Sequence, residues 1–283
     1  MLSLTQELDM RLNIDNFKEN PFIFIGAFLI GFIILFTLLT PLFYKTSPFE
    51  IDLEHRLTPP CKEHPLGRDE LGRDELARIV YGARISLFVG FIVVLISGII
   101  GLIMGLISGF AGGLVDEIVM RLVDILLAFP GILLAIALIA FFGPSLLNLI
   151  FALVVTGWVS YSRLARAQVL KLKEMDFIIA ARAVGANYLR ILFKHLMPNV
   201  LPLILVQASL GISGAILAES GLSFLGLGVQ PPTPSWGAMI NEGRNHLFEA
   251  PWLTIFPGIA LLITILGFNL LGEGLRKIYT PKE

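Results

Sequence analysis

Charge is what this chain has least of. Lys, Arg, Asp and Glu together make up 15% of its 283 residues, against about 25% in an ordinary soluble domain. Fifty-five per cent of the residues are hydrophobic, so the chain reads as an integral membrane protein. The formal net charge is −1, which gives no ground for a nucleic-acid partner. A single cysteine, Cys61, excludes an internal disulfide framework. No Gly-Lys pair occurs, so a phosphate loop of the GxxxxGK[ST] kind is ruled out. HExxH is missing as well, and His55, His64, His195 and His246 all fall outside the long apolar runs. No metal site, bound cofactor or catalytic residue is expected on this chain.

Two functional classes lose their footing on further absences. Gly211-Ile212-Ser213-Gly214 has the GxSG pattern of rhomboid intramembrane proteases, but a nucleophilic serine needs a base. The last apolar run, 250–272, contains no histidine, and the small residues read instead as a packing face. An ion-coupled secondary carrier needs ionisable groups near the bilayer midplane. The middles of the apolar runs hold none, so the energy for any transport is expected from outside the chain.

What is present is apolar length. About 20 uncharged apolar residues cross a hydrocarbon core of about 30 Å. Phe22–Phe43, Leu87–Ala111, Pro198–Ala218 and Ala250–Gly272 each qualify. Between Asp124 and Arg163 there is no charge, and Phe141-Phe142-Gly143-Pro144-Ser145 supplies a turn that divides this run into two spans. Six transmembrane helices are predicted, in an all-α integral membrane fold. About twenty residues, mostly polar, precede the first run, which is long enough to span, so it reads as a retained anchor and not a cleaved signal. Residues 163–194 hold seven basic residues (163, 166, 171, 173, 182, 190, 194) against Glu174 and Asp176, whereas 219–249 hold one arginine against three glutamates. The positive-inside rule places the first segment in the cytoplasm and the second outside, with both termini cytoplasmic. Residues 44–84 then fall outside, with seven basic and eight acidic residues, and Trp236 and Trp252 suit an outer interface belt.

Ser97, Gly101, Gly105, Gly109 and Gly113 recur every fourth residue, which predicts a small-residue stripe where another helix packs closely. Glu117, Arg121 and Asp124 are spaced to pair on one helical face. The tandem LGRDE of residues 66–75 is too short for a repeat unit. Asp74 there predicts the cap of a short amphipathic helix, with Leu76, Ile79 and Val80 on the outer membrane surface.

Residues 175–199, MDFIIAARAVGANYLRILFKHLMPN, interrupt the spans. Burying Asp176, Arg182, Arg190 and Lys194 in a bilayer costs roughly 10 kcal/mol, so the segment stays in the cytoplasm. Asp176 is expected to cap a helix over 177–184, Gly185 to stop it, Asn187 to cap a second helix to Leu196, and Pro198 to open the next span. Ala180, Ala181 and Ala183 keep the first helix slim enough for a groove, with Arg182 and Arg190 facing an acidic or polar partner. The prolines 231, 232 and 234 and nearby glycines break the helix over 219–244. Irregular backbone there suits an outer mouth, with Ser213, Glu219 and Ser223 as the candidate residues of a substrate pathway and Glu219 near a cargo amine.

Ala180-Ala181, Gly185 and Pro198 resemble the EAA motif of ABC importer permeases, which runs Glu-Ala-Ala, three residues, Gly, nine residues, Ile-x-Leu-Pro. Ile179 stands where the motif has Glu, His195 where it has Ile and Met197 where it has Leu. HPLGRDELGRDELARIVYGARISL, GGLVDEIVMRLVDILLAFPGILLAIALIA, ESGLSFLGLGVQPPTPSWGAMINEGR and GFNLLGEGLR are similar to the C-type subunit of the dipeptide, oligopeptide and nickel permease branch, over about 64–276. The resemblance implies a type I ABC importer permease with a five-helix core plus an N-terminal span. Residues 1–80 would hold the N-terminal span and outer segment, and 81–283 the core, with the coupling loop at about 163–198. Ile179, Ala180, Ala181, Arg182, Gly185 and Pro198 would couple to the ATPase. The implied partners are a B-type permease subunit, two cytoplasmic ABC ATPases carrying ATP and Mg, an extracytoplasmic substrate-binding protein and membrane lipid, in a bacterial inner membrane. The implied cargo is a di- or oligopeptide, with nickel or another small solute as the alternative within the branch.

Overall fold

The structure, a computed structural model, describes residues 20–279. Among them the chain is helical, with only a lone antiparallel bridge between Arg68 and Asp74. The helices are α1 (Pro21–Phe43), α2 (Glu75–Ala111), α3 (Gly113–Leu127), α4 (Gly131–Phe142), α5 (Leu146–Leu172), α6 (Asp176–Ala183), α7 (Met197–Phe224), α8 (Trp236–Gly243) and α9 (Trp252–Tyr279). Five of these runs are long and apolar enough to cross a bilayer: α1, α2, α5, α7 with the turns before it, and α9. The bent pair α3–α4 makes a sixth crossing if it counts as one span. The fold is an all-α, multi-pass membrane protein.

The third crossing differs from a straight span, because α3 and α4 meet at 86°. Pro130 stands at the N-cap of α4. Its ring cannot donate to the ladder and disfavours helical backbone at Phe129, so the chain breaks there. The turn at 141–145 lies where the sequence places it. Gly143 has φ +89°, Ser145 Oγ accepts from Asn148 N at 3.2 Å, and Asn148 Nδ2 donates to the Phe142 and Gly143 carbonyls at 3.0 and 2.9 Å.

The small-residue stripe of α2 faces α5. A Cβ at Gly105 would stand 2.6 Å from Ala165 Cβ, one at Gly101 would stand 2.5 Å from the Trp158 carbonyl, and one at Gly109 would stand 2.9 Å from Val169 Cβ. The two backbones therefore pack in direct contact, as small residues allow between membrane helices. Gly113 is not part of this face. It lies past the end of α2 with φ +55° and open space beside it, because Gly112 and Gly113 make the reversal into α3. On the other flank α1 packs on α9, where Gly26 lies against Gly267 and Leu271.

Asp74 does cap α2, its Oδ1 accepting from Ala77 N at 2.7 Å. The separate amphipathic helix is not found. No proline interrupts 75–111, and α2 runs unbroken for 37 residues, about 55 Å at 1.5 Å per residue. Its first turns stand clear of the apolar stretch, and Ile79 and Val80 are buried within the protein instead of resting on lipid. Trp236, expected in an interface belt, is fully buried beside them and donates its Nε1–H to the Ile79 carbonyl at 3.1 Å. Trp252 is half-buried, with its Nε1 3.4 Å from the Arg68 carbonyl.

The balanced charges of residues 44–84 fold on themselves. Arg73 Nε donates to Asp69 Oδ2 at 2.6 Å, and Arg73 and Arg78 both reach Glu242 Oε2, at 3.1 and 2.5 Å. This buried cluster bolts α8 to the start of α2. Burial pushes the Glu242 carboxyl above its ordinary range while Arg78 and Arg73 draw it back. A second cluster joins α1 to α2. Tyr44, just after α1, donates to Asp74 Oδ2 at 2.6 Å, and His64 Nδ1 lies 2.7 Å from the same oxygen. Burial first, and then the bond to Asp74, push the Tyr44 phenol up to about 12. Arg68 completes the set between His64 and Asp52 and holds the Asp52 carboxyl below its ordinary value. Asp74→Ala removes cap and clamp together and costs about 1–2 kcal/mol. A lowered thermal midpoint in detergent checks this, with Asp74→Ser, which keeps the cap, falling between.

Candidate functional site

The loop between α5 and α7 is built by short-range signals. Met175, not Asp176, occupies the N-cap of α6, without a side-chain bond. Asp176 falls in the first turn and Arg182 in the last, each on the favourable end of the helix dipole. The helix closes with two crossed bonds: Ala186 N donates to the Ala181 carbonyl at 3.0 Å and Gly185 N to the Arg182 carbonyl at 2.9 Å. This closure requires a left-handed residue after the cap, and Gly185 supplies it at φ +82°. Asn187 then caps the next turn, accepting from Arg190 N at 2.8 Å.

The chain does not stop at Leu196. Residues 191–196 form a π turn that runs directly into α7, with Met197 N bonding the Leu192 carbonyl. Pro198 is the second residue of α7, not the opening of a separate span. It has no N–H for the Lys194 carbonyl, and the ladder widens in the turn just before it. Asn199 Nδ2 takes up the His195 carbonyl at 2.6 Å.

Ile178, Ile191 and Leu196 are buried and anchor the loop to the bundle. The outward face is apolar: Ile179 is 54% exposed and Val184 89%, with Met175 and Leu189 also exposed and Ala180 and Ala183 between them. Arg182 does not project from this face into solvent alone. Its guanidinium carbon lies 5.0 Å from the centre of the Phe110 ring. Farther along, Arg166 makes a two-pronged ion pair with Asp116, at 2.5 and 2.6 Å, which ties the start of α3 to α5. Glu117 and Arg121 approach only to 3.9 Å on the exposed side, and Asp124 forms no ion pair with them, so the pair that holds α3 is Asp116–Arg166.

At the opposite end, the candidate pathway residues turn inward. Glu219 is fully buried and accepts from Ser86 at 2.9 Å, Ser220 at 3.3 Å and Ser223 at 2.7 Å. Ser213 Oγ lies 2.7 Å from the Leu210 carbonyl and 2.8 Å from Asn269 Oδ1. These groups tie α7 to α2 and α9, and in this conformation Glu219 offers no surface to a cargo amine. An open cleft of ≈ 220 Å³ lies instead between α2, α5 and α7, bordered among others by Val94, Ser97, Thr156, Tyr161, Gln207 and Gly214. Its lining carries hydroxyl, amide and aliphatic groups and no charged side chain. Among the described residues the Ser97 hydroxyl has no hydrogen-bond partner, and Gly211 lies directly under the Tyr161 hydroxyl. In the sequence Ser97 reads only as a packing residue, and Gln207 and Thr156 do not stand out, because scattered uncharged polar residues carry no spacing signal.

The sequence matches a family described as binding-protein-dependent transport system inner membrane component over residues 83–283. It also matches the N-terminal TM domain of oligopeptide transport permease C over residues 10–60. It is 44% identical to a dipeptide transport system permease protein of Alkalihalophilus pseudofirmus, covering 94% of this chain and 87% of that one. It is 41% identical to an oligopeptide transport system permease protein of Bacillus subtilis, with the same coverage. It is 41% identical to a probable D,D-dipeptide transport system permease protein of Escherichia coli, covering 94% and 89%.

Proposed function

The chain belongs to the binding-protein-dependent transport permeases, as a C-type membrane subunit of a peptide-type ABC importer, and from that premise we propose how it works. Its cargo is a di- or oligopeptide, handed over by an extracytoplasmic binding protein and released to the cytoplasm by alternating access. A B-type permease subunit completes the pathway, and two ABC ATPases carry the ATP and Mg. Ile179, Ala180, Ala181 and Gly185 form the surface that docks on an ATPase, and Pro198 with its π turn joins that surface to α7.

The observation that carries this reading is the outward face of α6. A short helix in a basic segment presents Ile179 and Val184 to solvent while Ile178 beneath them is buried. Large exposed apolar side chains beside a rigid anchor suit a protein groove, and an apolar residue at 179 suits a groove without a demanding cation. The cleft between α2, α5 and α7 is this subunit's share of the pathway; hydroxyl and amide groups there suit a peptide backbone. The division at residue 80 and the cytoplasmic placing of both termini belong to the same proposal; residues 1–19 and 280–283 lie outside the described residues.

The test is purification of the chain in mild detergent after expression with its candidate ATPase subunits and B-type permease. The ATPases are expected to co-elute, and peptide-loaded binding protein to stimulate ATP hydrolysis. Elution of the chain free of any ATPase contradicts the docking role.

A further inference from the structure

The docking loop is held to α2 as well as to α7, through an aromatic contact that membrane insertion does not require. Phe110 stands in the last turn of α2. Its ring meets that of Tyr188 with centroids 4.6 Å apart at 51°, and the Arg182 guanidinium lies 5.0 Å from its centre. Arg182 precedes the Gly185 turn and Tyr188 follows it, so one ring gathers both limbs of the loop. Beside it Lys173 Nζ reaches the Gly109 carbonyl at 3.4 Å. Aromatic pairs and cation–π contacts favour one geometry over others, which makes this a positioned contact and not a general apolar cover.

What lies behind Phe110 is stiff. About one and a half and two and a half turns back along α2, Gly105 and Gly101 lie against the α5 backbone, and Gly90 of the same helix packs on Ile216 of α7. The route into α7 itself passes through the π turn at 191–196, a widened and less regular piece of helix. Movement of α6 thus has a covalent route through a softer joint and a contact route into a rigid helix. We propose that Arg182, Phe110 and Tyr188 are a positioning clamp that passes the stroke of the docking loop into α2, so that α2 and α7 shift together. The clamp rests on the ATPase-coupling role of the loop proposed above.

The complete importer in proteoliposomes, with both permease subunits, the ATPases and the binding protein, tests the clamp. Peptide uptake and ATP hydrolysis are measured together for Phe110→Leu and Arg182→Gln. Phe110→Leu keeps an apolar side chain but loses the ring, and uptake per ATP is expected to fall about tenfold. Arg182→Gln, on a solvent-exposed side chain, is expected to lower it about threefold. Basal hydrolysis and ATPase retention stay at the unaltered level in the Phe110 variants, and Phe110→Tyr and Arg182→Lys keep the ratio to within about twofold of the parent. If Phe110→Leu fails to assemble, Tyr188→Leu against Tyr188→Phe decides, since Tyr188 makes the other half of the ring contact and lies outside the docking set. A ratio within about twofold of the parent in the assembled ring and guanidinium variants overturns the clamp, as does a loss that Tyr or Lys fails to restore. Failure of the unaltered chain to retain ATPase is a different result and removes the coupling role itself.

Discussion

An importer carrying Gly185→Glu is expected to reach the membrane in normal amount and to take up almost no cargo. Gly185 holds φ +82° with nothing within 4 Å of where a Cβ would stand, so the effect is one of backbone and charge, not of collision. An L-residue in left-handed backbone costs about 1–2 kcal/mol. A carboxylate at the negative end of the α6 dipole adds about 0.3–1 kcal/mol. Together they shift the loop away from its observed shape by roughly tenfold to a hundredfold, at 1.4 kcal/mol per decade. The loop lies outside the spans, so insertion is untouched. Gly185→Asn, which tolerates the left-handed region, should keep most of the uptake. Vesicle uptake normalised to the amount of protein in the membrane reads both.

The second large effect is structural. Gly105→Leu is expected to abolish stable protein in detergent. A Cβ alone would overlap the Ser162 carbonyl and stand 2.6 Å from Ala165 Cβ. Backbone cannot yield as a flexible side chain does, and overpacking of this kind costs about 3 kcal/mol or more. Since α2 against α5 also sets one wall of the cleft, uptake falls with stability. Gly98, about two turns earlier in α2, has open space at its Cβ, and Gly98→Ala is expected to leave the protein's elution profile and thermal midpoint unchanged. A Gly105→Leu chain as stable as the parent would mean that the two helices separate readily.

Much of this arrangement was legible in the residues themselves. Uncharged length marks where the spans fall, because a bilayer punishes charge wherever it falls, but not where the helices end: α2 begins at Glu75 and α5 runs on to Leu172, beyond the apolar runs that mark them. The Gly143 and Gly185 turns were legible because both positions have positive φ, and glycine marks that locally. Asp74 and Asn187 announce their caps by a different local sign, a short side chain whose oxygen accepts from a backbone N–H of the first turn. Pro130 is in plain view as a helix breaker, yet uncharged length only divides 124–163 into two spans and does not show the bend between α3 and α4. What stayed hidden depends on partners far along the chain. Trp236 reads as an interface tryptophan until Ile79 is found above it. Glu219 reads as a free carboxylate until Ser86, more than a hundred positions earlier, is found donating to it. Arg182 reads as a surface charge until Phe110 lies beneath it. The cleft has no signature of its own, since Thr156 and Gln207 are single polar residues whose meaning comes only from lining the same cleft between packed helices.

The most direct test of the account is what drives uptake. Vesicles containing this chain with its B-type partner, ATPases and binding protein are loaded with ATP and Mg on the ATPase side, and entry of a labelled dipeptide is followed with and without an ionophore. The account predicts uptake that requires ATP and the binding protein, survives collapse of ion gradients, and disappears with Gly185→Glu. Uptake by this chain alone, driven by a proton or sodium gradient and indifferent to ATP, would contradict it.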